Sequence, residues 1–161
     1  MARLIPNENT HVRFVTTAQG ISNIAAPTAA EVAAGANLTG FLISLNASSQ
    51  GNTLPTPSLD TLFETSVSGT VSANFSADFY RDDAADTAWS TLPRRTTGWF
   101  VISRFGGSGT DNLPIASDGV EVWPVTVTSR MMQNMASNQV QMFSLTCSIP
   151  AEPNESAVVA A

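Results

Sequence analysis

Within residues 78–86 lie Asp78, Asp82, Asp83 and Asp86, with Arg81 among them. Hard cations such as Ca²⁺ take several carboxylates, so this cluster is the first place to look for a metal. Its spacing does not match a calcium-binding helix–loop–helix, and Asp82 or Asp83 is expected to cap a helix starting at Ala84. Gly106-Gly-Ser-Gly-Thr110 has the glycines of a phosphate cradle, but no Lys-Ser/Thr follows. It reads instead as a flexible hairpin connection within a Gly106 to Gly119 loop. Counting residues leaves a Ser-His-Asp arrangement open, yet no Gly-x-Ser-x-Gly elbow is present. His11 has no acid or nucleophile close by in sequence, and Cys147 reads as a small buried apolar residue. Met131, Met132, Met135 and Met142 read as core or interface filler. The expectation is a protein that is not an enzyme and has no metal site and no cofactor.

Composition narrows the classes further. The 161 residues carry 13 acids against 7 bases, a net charge of −6, and every base is Arg. Without Lys there is no Walker A lysine and no Schiff-base chemistry. One His and one Cys exclude an internal disulfide and a closed His/Cys zinc site within one chain. The acidic balance argues against a protein that grips nucleic acid through its phosphates. Charged residues are only 12% of the chain, and 18 Ser and 18 Thr take their place. Such a surface suits a β-rich protein packing against other proteins. No leader or membrane span is expected from the N-terminal sequence or from the short apolar runs.

The length favours one domain over residues 1–161, with an N-terminal arm at 1–11 and a Pro-, Glu- and Ala-containing tail at 150–161. Val12 to Thr17 reads as a first strand. Thr28 and Glu31 form a capping box ahead of an Ala-rich helix, with Gly35 at the left-handed position that ends it. Leu38 to Leu45 reads as a strand, and Asn46 to Asp60 as a long loop carrying Leu54 and Leu59. The clearest signal follows: Val71, Ala73, Phe75, Ala77 and Phe79 alternate with Ser72, Asn74, Ser76, Asp78 and Tyr80, one buried and one polar face. A second helix over Ala84 to Leu92 stops at Pro93. Strands are expected at Gly98 to Arg104, at Val120 to about Arg130 with Pro124 forcing an edge or bulge, and at Val140 to Ile149. The tally is six to eight strands and two short helices without βαβ alternation, hence a mostly β (α+β) fold built as a β-sandwich or barrel with one or two short flanking helices.

Across residues 20–149 the order of pieces resembles the tail tube (major tail) proteins of long-tailed, non-contractile, siphovirus-type bacteriophages, those of actinobacteria especially. The pieces are the capped helix and strand at Ile24–Thr39, Leu62-Phe-Glu-Thr65, Phe79-Tyr-Arg-Asp-Asp83, Ala88-Trp-Ser-Thr-Leu92-Pro, Gly98-Trp-Phe-Val-Ile-Ser-Arg104, and Val122-Trp-Pro-Val125 with Arg130. The resemblance implies hexameric rings whose strands join an inter-subunit β-barrel, stacked into a tail tube in the virion and assembled in the host cytoplasm. The implied partners are further copies, the tape measure, tail terminator and distal tail proteins, and double-stranded DNA that passes without specific binding; no membrane is involved.

On that reading the lumen is lined by Ser72, Asn74, Ser76 and Asp78, or by the polar face of the last hairpin. Contacts between subunits or rings fall to the 46–60 loop with Leu54 and Leu59, the N-terminal arm, the tail from Pro150, and Arg81, Arg94, Arg95 and Arg130. Acidic copies around a lumen would repel phosphate. Two other readings stay open: a capsid-decoration or tail-terminator protein, and a carbohydrate-binding β-sandwich module, which Trp99 and Trp123 inside apolar strands disfavour.

Overall fold

The strong alternation at 71–80 falls inside one of the longest strands of the molecule. The computed structural model describes residues 9–56, 65–133 and 136–161. Its strands are β1 (His11–Thr16), β2 (Ala36–Asn37), β3 (Leu42–Thr56), β4 (Thr65–Tyr80), β5 (Thr97–Ser103), β6 (Gly119–Met132), β7 (Met142–Ser148) and β8 (Asn154–Val158). Among the described residues it also has two short α-helices, α1 (Ala29–Ala34) and α2 (Thr87–Thr91), and two 3-10 turns, Thr39–Phe41 and Thr110–Asn112. The pairs are antiparallel in the order β2-β1-β5-β6-β7-β4-β3, with β8 also on β6. The fold is mostly β with two small helices, as the sequence implies, and the sheet does not close on itself.

Instead it curls. Phe75 of β4 stacks on Phe100 of β5 with ring centroids 4.6 Å apart, although β6 and β7 lie between them in the sheet. The concave face therefore meets itself and buries Phe14, Phe79, Trp123 and Phe143, with Ala88 and Leu92 from the α2 region. Each such side chain contributes about 1.5–3 kcal/mol. The opposite face of β1, β5 and β6 buries Val15, Val101, Val120 and Val122 beneath Val32 of α1 and Ala157 and Val159 of the C-terminal segment. Strands covered on both faces need apolar residues at successive positions, which explains Trp99 to Ile102.

Each short helix is finished by an arginine from a strand. The α1 N-terminus carries the expected capping box, Thr28 with Glu31. At its C-terminus Arg13 Nη1 donates to the carbonyls of Ala33 and Gly35, each at 2.7 Å. Arg130 Nη1 does the same for α2, donating to Trp89 O at 2.6 Å and Leu92 O at 3.3 Å. The positive group also complements the negative end of the helix dipole.

Several sequence expectations are corrected. Residues 46–56 are strand, not loop: β3 continues to Thr56, paired with Thr65. Its Ser, Asn, Gln and Gly residues are exposed on both faces, so no alternation marks them. Pro55 is tolerated because β3 is an edge strand. The tail forms β8, because Ala157 and Val159 complete a core. His11 belongs to β1 and is buried rather than part of an arm. Gly35 has φ −66°, not left-handed. A Cβ there would meet Val15 Cγ2 at 2.8 Å and Phe14 O at 3.0 Å, so glycine serves close approach of helix and strand.

α2 starts at Thr87, and Asp82 instead caps the turn before it, accepting from Ala84 N at 2.7 Å and Ala85 N at 3.1 Å. Pro124 sits in neither a bulge nor an outer strand. It lies in β6 between the stretch paired with β8 and the stretch paired with β7, where a missing N–H breaks neither pairing. The 106–119 segment is organised rather than flexible: Asp118 accepts from Ser108 N and Oγ, both 2.7 Å, and from Ile115 N at 2.8 Å. Residues 1–8, Leu59, the Leu62-Phe-Glu stretch and Met135 lie outside the described residues.

Candidate functional site

The convex face of β3, β4 and β7 is a continuous band of hydroxyls and amides. Ser44, Asn46, Ser48 and Gln50 stand opposite Asp78, Ser76, Asn74 and Ser72, and Ser144 and Thr146 stand beyond Asp78 and Ser76. Directly opposite residues of an antiparallel pair point to the same face. All four residues expected on the lumen, Ser72, Asn74, Ser76 and Asp78, therefore share this band. Alternation in β4 revealed them; the last hairpin, the alternative lining, adjoins them through Ser144 and Thr146 of β7, and β3 was missed because strand pairing is non-local. Asp78 is the single charged member of these rows. Its carboxylate accepts from Ser44 Oγ and Ser144 Oγ, each at 2.6 Å, and Ser144 Oγ accepts from Gln133 Nε2 at 3.2 Å.

Two backbone edges flank the band. Among the described residues, β3 has no partner along its outer side. On the far side, β5 accompanies β6 to Thr126, and backbone bonds from Arg95 N to Val127 O (2.8 Å) and from Val127 N to Thr96 O (2.9 Å) close that pairing. From Thr128 to Met132 this edge of β6 has no strand beside it among the described residues. The Arg94 guanidinium donates there to Arg130 O at 3.3 Å. Long open edges are a liability in a soluble monomer and a means of joining copies in an assembly.

The arginines separate into two groups. Arg81 bonds Asp86 within its own chain, Nε lying 3.1 and 3.0 Å from the two carboxylate oxygens. Arg130 lies 3.5 Å over the Trp89 ring while it ends α2. Arg104 is bound to Glu121, which also accepts from Trp123 Nε1 at 3.1 Å. Arg94 and Arg95 are exposed, and neither meets a carboxylate among the described residues. Leu54 is 55% exposed near the end of the β3–β4 hairpin.

The chemistry-bearing residues do not converge. The aspartate cluster disperses: Asp78 to the polar band, Asp82 to a turn, Asp86 to Arg81. No group of three or more His, Cys, Asp or Glu among the described residues is placed to hold a metal. His11 pairs in register with Ser103, but Ser103 Oγ makes no hydrogen bond, and His11 Nε2 accepts from Arg13 Nε at 3.0 Å. Burial first, then the Arg13 charge, pushes the His11 pKa down; the backbone and charge of Asp111 oppose them. Burial pushes the Cys147 thiol up to about 12, away from thiolate chemistry. No helix among the described residues is long and apolar enough to cross a membrane.

A curled sheet with one polar face, charged there only at Asp78, and two edges open among the described residues has the features of a protein that joins copies of itself. The sequence profile of the family described as Phage tail tube protein matches residues 1–161, and the chain belongs to that family. It is a structural protein of the virion tail. A search of curated protein sequences found no match.

Among solved structures, the chain is similar to one from the tail of an empty gene transfer agent particle, refined helically with C6 symmetry. The identity is 14%, the TM-score 0.60, and 97% of this chain and 100% of that one are covered. A second similar chain comes from the virion of a native gene transfer agent particle: 15% identity, TM-score 0.52, covering 76% and 89%. A third belongs to the six-fold symmetrised baseplate of the anti-feeding prophage: 12% identity, TM-score 0.56, covering 96% of each chain.

Proposed function

We propose that six copies of this chain close into a ring of non-contractile, siphovirus type, and that rings stack into a tube whose lumen is the polar band of β3, β4 and β7. The observation that carries this is the band itself: a sheet face without apolar cover, spanning three strands and bounded by two open edges. Joining the outer edge of β3 to the Thr128–Met132 edge of β6 in the next copy removes both edges and makes the band continuous around the axis. The C6 symmetry of the gene transfer agent tail supports the copy number. Arg94 and Arg95 lie beside the β6 edge and are placed to meet carboxylates of the neighbouring copy.

The lumen works by not holding its cargo. Hydroxyls and amides remain hydrated, and Asp78 adds a repeated negative charge that repels phosphate. With no basic residue in the band, double-stranded DNA finds no counter-charge to exchange for its condensed ions. Assembly takes place in the host cytoplasm, with tape measure, terminator and distal tail proteins meeting the tube along and at the ends of its length.

The test uses Asn74→Cys. Cys147 is buried and its pKa raised, so the new thiol takes up maleimide-linked nanogold alone. Electron microscopy of assembled protein is expected to show six-fold hollow tubes with gold along the inner wall. Gold on the outer wall sinks the lumen assignment; discrete trimers or persistent monomers sink the tube itself.

A further inference from the structure

One buried cluster takes no part in the polar band or its edges. On the face that carries Arg13 and Val101, His11 of β1 and Ser103 of β5 stand directly opposite each other, 3% and 0% exposed. Ser103 Oγ has no hydrogen-bond partner. Two residues along the same face, Arg13 Nε donates to His11 Nε2 at 3.0 Å. Nη1 of that guanidinium bonds the carbonyls of Ala33 and Gly35, each at 2.7 Å, and Gln19 Nε2 bonds Ala34 O between them. One arginine thus ties a buried imidazole to the last turn of α1.

The tie holds in one protonation state only. An accepting Nε2 carries no proton, so the neutral ring holds its proton on Nδ1. A proton added at Nε2 turns the acceptor into a second donor and sets an imidazolium against a guanidinium. We infer that His11 is an acid-operated latch on α1: protonation expels the Arg13 guanidinium, frees Ala33 O and Gly35 O, and turns the imidazolium N–H to Ser103 Oγ. The inference is independent of the ring reading. A buried hydroxyl without a partner is costly, and directly opposite residues of an antiparallel pair lie within reach of each other. Ser103 therefore supplies the acceptor that the protonated ring needs and the neutral ring leaves idle. The charged groups acting on His11 are Arg13 of β1 and Asp111 of the 106–119 segment. Glu31, on α1, is engaged with Ser22 and Thr28. Burial first, then Arg13, outweigh Asp111 and push the His11 pKa below 6.5, so the latch is closed at neutral pH and opens below it.

The experiment follows amide exchange of the full chain, corrected for the intrinsic pH dependence of exchange, from neutral pH down to about pH 4.5, above the window in which Glu31 titrates. Protection over Val32 to Gly35 is expected to fall about tenfold in step with the His11 imidazole signal in NMR, while β7 keeps its protection. Ser103→Ala removes the waiting acceptor and is expected to move the midpoint about half a pH unit lower. His11→Gln, whose amide oxygen still accepts from Arg13, is expected to remove the step. Arg13→Met, folded by circular dichroism, is expected to show the loosened turn at every pH. A His11 titration that leaves α1 protection unchanged, or a step that survives in His11→Gln, overturns the latch. So does a midpoint that Ser103→Ala leaves unmoved, or full α1 protection in Arg13→Met.

Discussion

The two halves of this molecule obey different rules. Around β1, β5 and the start of β6, both sheet faces are covered, by the curled sheet on one side and by α1 with the C-terminal segment on the other. In the outer half of the β3–β4 hairpin nearly every residue is exposed on both faces. The first half is complete within one chain. The second leaves its outer edge unpaired and both faces exposed among the described residues. In the proposed assembly the same polypeptide separates the interactions that fold a subunit from those that join subunits, and substitutions should sort accordingly.

The sharpest contrast is between Trp123, 1% exposed, and Val71, 61% exposed. Trp123→Ala is expected to cost about 3–5 kcal/mol of monomer stability in denaturant titration, leaving a cavity against Phe75 and removing one donor from Glu121, which keeps Arg104. Val71→Ser is expected to stay within about 0.5 kcal/mol by the same measurement. Equal costs at the two sites would erase the distinction between the halves.

Arg130 tests the joint between core and open edge. Its guanidinium ends α2 and stacks on Trp89, so Arg130→Ala should cost about 1–2 kcal/mol, combining a lost helix-end contact with a lost cation–π contact. Arg130→Lys should recover only part of this, since an ammonium cannot stack flat on the indole while reaching both carbonyls.

The smallest effects are with pH, and both belong to the closed half. His11 holds its proton less firmly folded than unfolded. The unfolded chain is thus protonated first, and stability present above pH 6.5 declines as pH falls through the window below it. Glu31 is held at about 2 by the Ser22 hydroxyl first, then the Thr28 backbone. Its contribution is full above the ordinary carboxylate pKa of 4.5 and is lost as pH falls toward 2. Thermal melts should therefore show two separate declines. His11→Gln should flatten the upper one and Glu31→Gln the lower; a melt profile unchanged by either variant would contradict these assignments.

How much of this is legible in the sequence depends on whether burial is local. Ala73 to Phe79 can be read directly because one face is covered and the other wet, although Val71, expected on the buried face, is exposed; Thr28 with Glu31 can be read because a capping box is a four-residue device. Residues 46–56 cannot be read, since a strand exposed on both faces leaves no period. The C-terminal segment with β8 cannot be read either: its buried residues, Ala157 in β8 and Val159 just after it, are small, and what buries them comes from residues 15–32 and 99–122. For the site, the polar row of β4 is visible in advance. The rows of β3 and β7, and the open edge of β6, depend on which strands lie side by side. Arg130 looks free in sequence and is engaged in the fold, because Trp89 is brought near only when α2 and β6 pack; Arg81, already among the aspartates in sequence, finds Asp86 five residues on.

Strand β6 belongs to both halves. It enters between β5 and β8, passes the amide-less Pro124, and ends at the edge offered to a neighbouring copy. An extended backbone rises about 3.3 Å per residue, close to the greatest length a chain can reach, so it holds almost no slack. In the proposed tube, a pull on Met132 from an adjoining copy would run along β6 and be shared with β7, β5 and β8 through their ladders on its way to Trp123 and Val120. Bending of such a wall would load the cores of its subunits.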